Sequence, residues 1–137
     1  MNISAKVEYA CVAVLELAAR YESDEPVRIR DIADAHGIPS RFLVQILLQL
    51  KGAGLVQSTR GATGGYALAK SPEQISLLEV IEAIEGPYDS ETSLGEGEGI
   101  SPAAQEKLKD ALTQVTDTQR KQLEAIKLSQ LLPPPPE

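Results

Sequence analysis

Arg60 heads the stretch "RGATGGY", residues 60–66, with three glycines in the next five positions and Tyr66 closing the run. Arginine presents five N–H donors in a planar fork and stays charged, so its chemistry is recognition of anions and base edges. The glycines answer a backbone need, because glycine alone enters positive φ cheaply and allows close approach. Upstream, "PSRFLVQ" at 39–45 carries Ser40, Arg41 and Gln45. Glutamine pairs bidentately with adenine and arginine with guanine. Residues 35–70 hold Arg41, Lys51, Arg60 and Lys70 and no acid. The net charge is nevertheless −7, since residues 71–137 contain thirteen acids against five bases. Total charge bears on solubility, whereas a local basic patch bears on partners.

Other chemistries lack their residues. Cys11 is the single cysteine and His36 the single histidine, so an intrachain disulfide is excluded and a Cys/His metal site is not expected. Gly61 and Gly64 do not form a phosphate loop: no Gly-Lys-Ser/Thr follows, and the run leads toward a strand. No histidine stands near a nucleophile, and no carboxylate pair marks a pocket. We therefore expect no enzyme, no catalytic residue, no cofactor and no metal. Cys11 falls on an apolar helical stripe and reads as a small buried hydrophobe. His36 precedes Gly37, where a positive charge suits a helix end. The longest apolar run is too short to span a bilayer and no leader is evident, so a cytoplasmic protein without membrane contact is expected.

The elements that must position these residues follow from periodicity. Ser4 to about Tyr21 reads as a helix capped by Ser4, with Val7, Ala10, Cys11, Val14, Leu17 and Ala18 on one stripe. "VRI" at 27–29 suggests a very short strand. A short helix follows, with Ile29, Ile32 and Ala33 inward, stopped by Gly37. Pro39 suits the first turn of the next helix. There Leu43, Ile46, Leu47 and Leu50 form the buried stripe, and Ser40, Arg41, Val44, Gln45 and Leu48 fall on the other side. Val44 would touch thymine methyls or be ordinary apolar surface, and Leu48 is expected to pack against the neighbouring helix. Gly52 and Gly54 end the element, and strands at 55–59 and 66–69 flank the glycine turn.

Ser76 and Glu79 then form a capping box for a helix ended by Gly86 and Pro87. Residues 88–100 read as a flexible acidic loop. Ser101 and Pro102 open a long helix with Ala104, Leu108, Leu112 and Val115 on a narrow stripe that needs a partner surface. "KLSQLL" suggests a last helical turn, and residues 133–137 a disordered proline tail.

Two helices joined by a tight glycine turn, followed at once by a hairpin, make a winged helix-turn-helix. The fold class is thus mostly α with a small β-hairpin wing and a long C-terminal helix. The organisation reads as a DNA-binding domain over 1–87, a loop over 88–100, a dimerisation region over 101–132 and a tail over 133–137.

The stretches "KVEYACVAVLELA" and "IRDIADAHGIPSRFLVQILLQLKGAGLVQSTRGATGGYALAKSPEQISLLEVIEAIEGP" also resemble the Rrf-type winged-helix transcriptional repressors of bacteria. Relatives in that family include an iron–sulfur cluster regulator and a cysteine-metabolism repressor. The resemblance implies a homodimer joined through the long helix at Leu108, Leu112 and Val115, bound to a palindromic operator in double-stranded DNA. It implies base reading by Ser40, Arg41, Val44 and Gln45, minor-groove entry by Arg60 on a tip shaped by Gly61, Gly64 and Gly65, and phosphate contacts from Lys6 and Tyr9. Many members hold an iron–sulfur cluster on three cysteines in the loop before the long helix. The corresponding loop here, 88–100, has none, so no cluster is expected by that route. An effector or protein partner carries no signature in the chain. The reading from a different class is a winged-helix protein–protein interaction module without DNA binding; acidic residues at 41, 51 and 60 would have supported it, and all three are basic.

Overall fold

The computed structural model describes residues 3–23, 25–61, 64–88 and 101–133. The acidic loop, apart from Tyr88, and the proline tail, apart from Pro133, lie outside the described residues. The order of elements is α1 (Ala5–Ala19), α2 (Ile29–His36), α3 (Ser40–Gly52), β1 (Val56–Thr59), β2 (Gly65–Leu68), a 3₁₀ turn (Pro72–Gln74), α4 (Leu77–Glu85), α5 (Pro102–Ala125) and α6 (Leu128–Leu131). Among the described residues no helix is long and apolar enough to cross a membrane.

Local signals start each helix. The Ser4 hydroxyl accepts from the Val7 amide and caps α1. Ser76 and Glu79 make both bonds of the capping box that opens α4. Ser101 caps α5 through the Ala104 amide, with Pro102 at its first position. Such caps satisfy amides that would otherwise lack partners, each worth about 1 kcal/mol. Pro39 departs from expectation. Its ψ of 128° places it just before α3, as the capping residue, while its carbonyl accepts from the Leu43 amide.

One apolar core holds α1, α3 and α4 together, with α2 and the wing packed at its edge. Leu17, Ile32, Leu43, Ile46, Leu47, Leu50, Leu55, Ile75 and Leu128 are all fully buried. Cys11 is only half-buried and packs against this core from its side; Ala13 takes the deeper place. Burial, then the neighbouring Glu8, pushes the Cys11 thiol above its ordinary range.

The hairpin pairs antiparallel in the register Val56 with Leu68, Gln57 with Ala67, Ser58 with Tyr66 and Thr59 with Gly65. Leu55, expected in the strand, is used instead to close α3: its amide donates to the Leu50 carbonyl at 3.0 Å. The chain end returns to the core. The Leu77 amide donates to Ile126 and the Leu128 amide to Ile75, each at 2.9 Å, which seats Leu128 inside. The start of α4 and the end of α5 are thereby stitched together.

Candidate nucleic-acid interface

Four leucine and isoleucine side chains fix the orientation of α3. Leu43, Ile46, Leu47 and Leu50 are 0% exposed, so the opposite face must look outward. Ser40, Arg41, Val44 and Gln45 are all exposed there, and no acid shares the first turn. The Arg41 guanidinium lies 5.0 Å from the centroid of the Phe42 ring. Phe42 is itself exposed, so the pair forms a flat cationic and aromatic edge at the start of the helix. Leu48 does not pack against a neighbouring helix as expected. It is 55% exposed, because the inner stripe is already complete one turn on either side.

The wing explains its glycines internally. Gly61 has φ of 110°, a conformation that side-chain-bearing residues rarely adopt. At Gly64 an added Cβ would press into the carbonyl oxygens of Thr59 and Gly61. At Gly65 it would lie 2.5 Å from the Val27 carbonyl oxygen. The close approach at Gly65 is therefore to the chain's own backbone. Val27 and Tyr66 exchange two backbone hydrogen bonds, each of 2.8 Å, so the segment before α2 acts as a third, one-residue strand of the wing.

This third strand brings together residues that are far apart in sequence. Arg28, Ile29, Lys51, Ser58, Thr59, Arg60, Gly61, Gly64, Gly65 and Tyr66 line an open cleft of about 460 Å³. The Lys51 ammonium donates to the Ser58 hydroxyl at 2.8 Å, tying the end of α3 to β1. Arg60 is exposed at the rim. No carboxylate is among the described residues that line the cleft. Such a surface offers guanidinium, ammonium and hydroxyl donors to a polyanion.

Of the residues named from sequence, Arg60, Gly61, Gly64 and Gly65 meet in the cleft, and Ser40, Arg41, Val44 and Gln45 share the exposed side of α3. Lys6 and Tyr9 are half-buried on α1, outside the cleft. Arg28 was not among the candidates. The one signal for it was the strand-like "VRI" triplet, which foretold pairing but not its partner.

The surface of α5 is of another kind. Leu108, Leu112 and Val115 are 42%, 37% and 56% exposed, and Leu123 alone on this helix is buried. Tyr88 donates its hydroxyl proton to Gln119 at 2.6 Å, and Arg120 lies 3.8 Å from Glu82, so α5 is braced against the end of α4.

The comparisons with known proteins agree with this geometry. The Rrf2 family model, described as iron-dependent transcriptional regulators, matches residues 3–134. An rrf2-like helix-turn-helix regulator of Rhodobacter capsulatus is 47% identical over 87 residues, covering 62% of this chain; the match spans 58% of that relative's length. The regulator CymR of Bacillus subtilis is 34% identical over 118 residues, 86% of this chain and 85% of its own. The structure of CymR, the global cysteine regulator of that bacterium, superposes with a TM-score of 0.77 at 30% identity, covering 96% of this chain and 95% of the other. An IscR structure from T. potens gives a TM-score of 0.64 at 30% identity, over 96% of this chain and 85% of that one. The wing, the exposed face of α3 and the long α5 thus occur in a common frame, and the chain belongs to the Rrf2 family of transcriptional regulators.

Proposed function

We propose that this protein is a dimeric, sequence-specific DNA-binding regulator that represses transcription from a palindromic operator. One observation carries the reading. The inner stripe of α3 is wholly buried, while Ser40, Arg41, Val44 and Gln45 stay exposed on a helix that runs straight into an acid-free wing. In this reading Arg41 and Gln45 read base edges in the major groove, with Ser40 and Val44 completing the contact. Arg60 enters the minor groove from a tip shaped by Gly61, Gly64 and Gly65, and Lys6 and Tyr9 hold phosphates.

Residues 1–87 supply the DNA-contacting body, 88–100 a connecting loop, 101–132 the dimer surface and 133–137 a tail. Pairing through Leu108, Leu112 and Val115 places two copies of α3 about 34 Å apart, one turn of duplex. The protein works in the cytoplasm, where its operator is, and has no catalytic role.

The iron dependence of the family description does not fit the donors of this chain. Iron–sulfur clusters are held chiefly by thiolates. The chain has one cysteine, Cys11, which sits half-buried on α1 with its thiol biased toward the protonated form. Among the described residues no three His, Cys, Asp or Glu side chains gather as a metal site. Any regulatory signal is thus expected to come from a small molecule, a protein partner or thiol chemistry at Cys11, in that order, and not from cluster loss.

The test is a footprint and a binding titration on the promoters beside the protein's own gene. A palindromic site bound about a thousandfold more tightly than a scrambled duplex is the expected result. Equal affinity for both would overturn sequence-specific regulation.

A further inference from the structure

We propose that the cleft behind the wing is a seat for one phosphodiester of the duplex, and that Arg28 is its anchoring residue. The proposal rests on the DNA-binding reading above and adds to it a contact from the start of α2.

Three cationic residues line this cleft from three separate segments: Arg28 ahead of α2, Lys51 from the last turn of α3, and Arg60 from the wing. Ser58 and Thr59 add hydroxyl donors, and no carboxylate is among the described residues lining it. An opening lined by cationic residues and hydroxyl donors selects anions over cations. A phosphate group is matched by a guanidinium fork and an ammonium point charge together.

The placement is built into the fold. The paired 2.8 Å bonds between Val27 and Tyr66 fix the residue before Arg28 to the wing. Gly65 permits that pairing, since any side chain there would strike the Val27 carbonyl. The bond from Lys51 to Ser58 fixes the opposite wall. The cleft is open and shares its rim with Arg60, Gly61 and Gly64, so whatever the wing tip straddles runs past its mouth. That continuity favours a backbone phosphodiester over a free phosphate. Arg28 would then set how deep the wing sits without reading sequence.

The experiment titrates wild type, Arg28→Ala, Arg28→Lys and Gly65→Ala against operator and scrambled duplexes over a range of salt. Arg28→Gln, which keeps much of the side-chain stem, replaces the alanine variant if thermal melting shows the latter unfolded. We expect Arg28→Ala to weaken both duplexes alike, by about three- to tenfold, and to lower the magnitude of the salt slope by about one unit. Arg28→Lys restores the slope, and Gly65→Ala, which displaces Val27, moves affinity in the same direction as Arg28→Ala. Wild-type affinity and slope in Arg28→Ala overturn the seat while leaving the DNA-binding reading intact. A loss confined to one base step also overturns it, by making Arg28 a reader. A wild-type protein that binds neither duplex overturns the broader reading, and this one with it. In a second arm, pyrophosphate is titrated while the amide signals of Gly61, Gly64 and Gly65 are followed. Saturable binding that Arg28→Ala abolishes, with DNA affinity unchanged, would assign the cleft to a small phosphorylated effector and overturn the phosphodiester.

Discussion

Helices α3 and α5 both carry apolar stripes, and the fates of those stripes differ. On α3 the four stripe residues are completely buried within the chain. On α5, a helix of 24 residues, Leu123 is buried while Leu108, Leu112 and Val115 face solvent. The difference teaches how an amphipathic helix divides its labour. Once its inner face is satisfied, α3 is rigidly held and its outer face is free for polar contacts. The outer part of α5 has no such satisfaction inside one chain. Apolar area left in water forfeits about 25 cal/mol per Å², so a narrow stripe of this kind calls for a second molecule. The bracing of α5 at Tyr88, Glu82 and the Leu77–Ile126 bond fixes where that stripe points relative to α4.

The contrast breaks most visibly on α5. The double variant Leu112→Asp with Val115→Asp should be monomeric by light scattering and keep its helical circular dichroism. Losing the tethered second half-site should cost about a hundredfold or more in operator affinity. A dimer that survives both aspartates would mean that the stripe is not the interface.

Next in size is the inner face of α3. Leu47→Ala removes a side chain with no exposure and should cost about 2–5 kcal/mol in urea denaturation. In the monomeric α5 background, Leu108→Ala, at a stripe position that is 42% exposed, should cost less than about 1 kcal/mol, since it empties no cavity. Equal costs would erase the distinction drawn between the two helices.

The outer face of α3 comes third. Gln45→Ala should lose about 1–3 kcal/mol at the operator and relax preference at one base step per half-site, with stability unchanged. Lys6→Ala should instead weaken all duplexes alike and take about one unit off the salt slope. Arg60→Ala should hurt most on operators with A·T-rich flanks, whose narrow minor groove attracts arginine. Titrations against A·T-rich and G·C-rich flanks separate these three patterns; identical behaviour of all three variants would remove the division into readers and holders.

The smallest effect concerns Cys11. Its thiol is raised by burial and by Glu8, so at a given alkaline pH the folded protein holds less thiolate than the unfolded chain. Alkylation followed against pH should therefore lag that of free cysteine. By the same sign, stability should decline slightly as pH rises through the ordinary thiol range, where the unfolded chain loses a proton that the folded one keeps. Cys11→Ser should remove that decline.

Much of the architecture was legible because its causes are local. The caps at Ser4, Ser76 and Ser101 act over three residues, and the stripe of α3 repeats within one or two turns, so the sequence alone specifies helix starts and buried faces. The glycine turn announced the hairpin for the same reason. The same sequence also placed Ser40, Arg41, Val44 and Gln45 on an outward face and left the stripe of α5 unsatisfied. What only the tertiary structure decided depends on contacts between distant segments. Nothing near Leu48 in sequence says that no described helix covers it, and nothing near Leu128 says that Ile75 receives it. Strand partners carry no local mark either. Val27 pairs with Tyr66 because packing of α1, α2 and α3 brings their backbones within reach of unsatisfied amides and carbonyls. That pairing assigns Gly65 its internal task and sets Arg28 beside Lys51 and Arg60, so the cationic cleft exists only once the chain has folded.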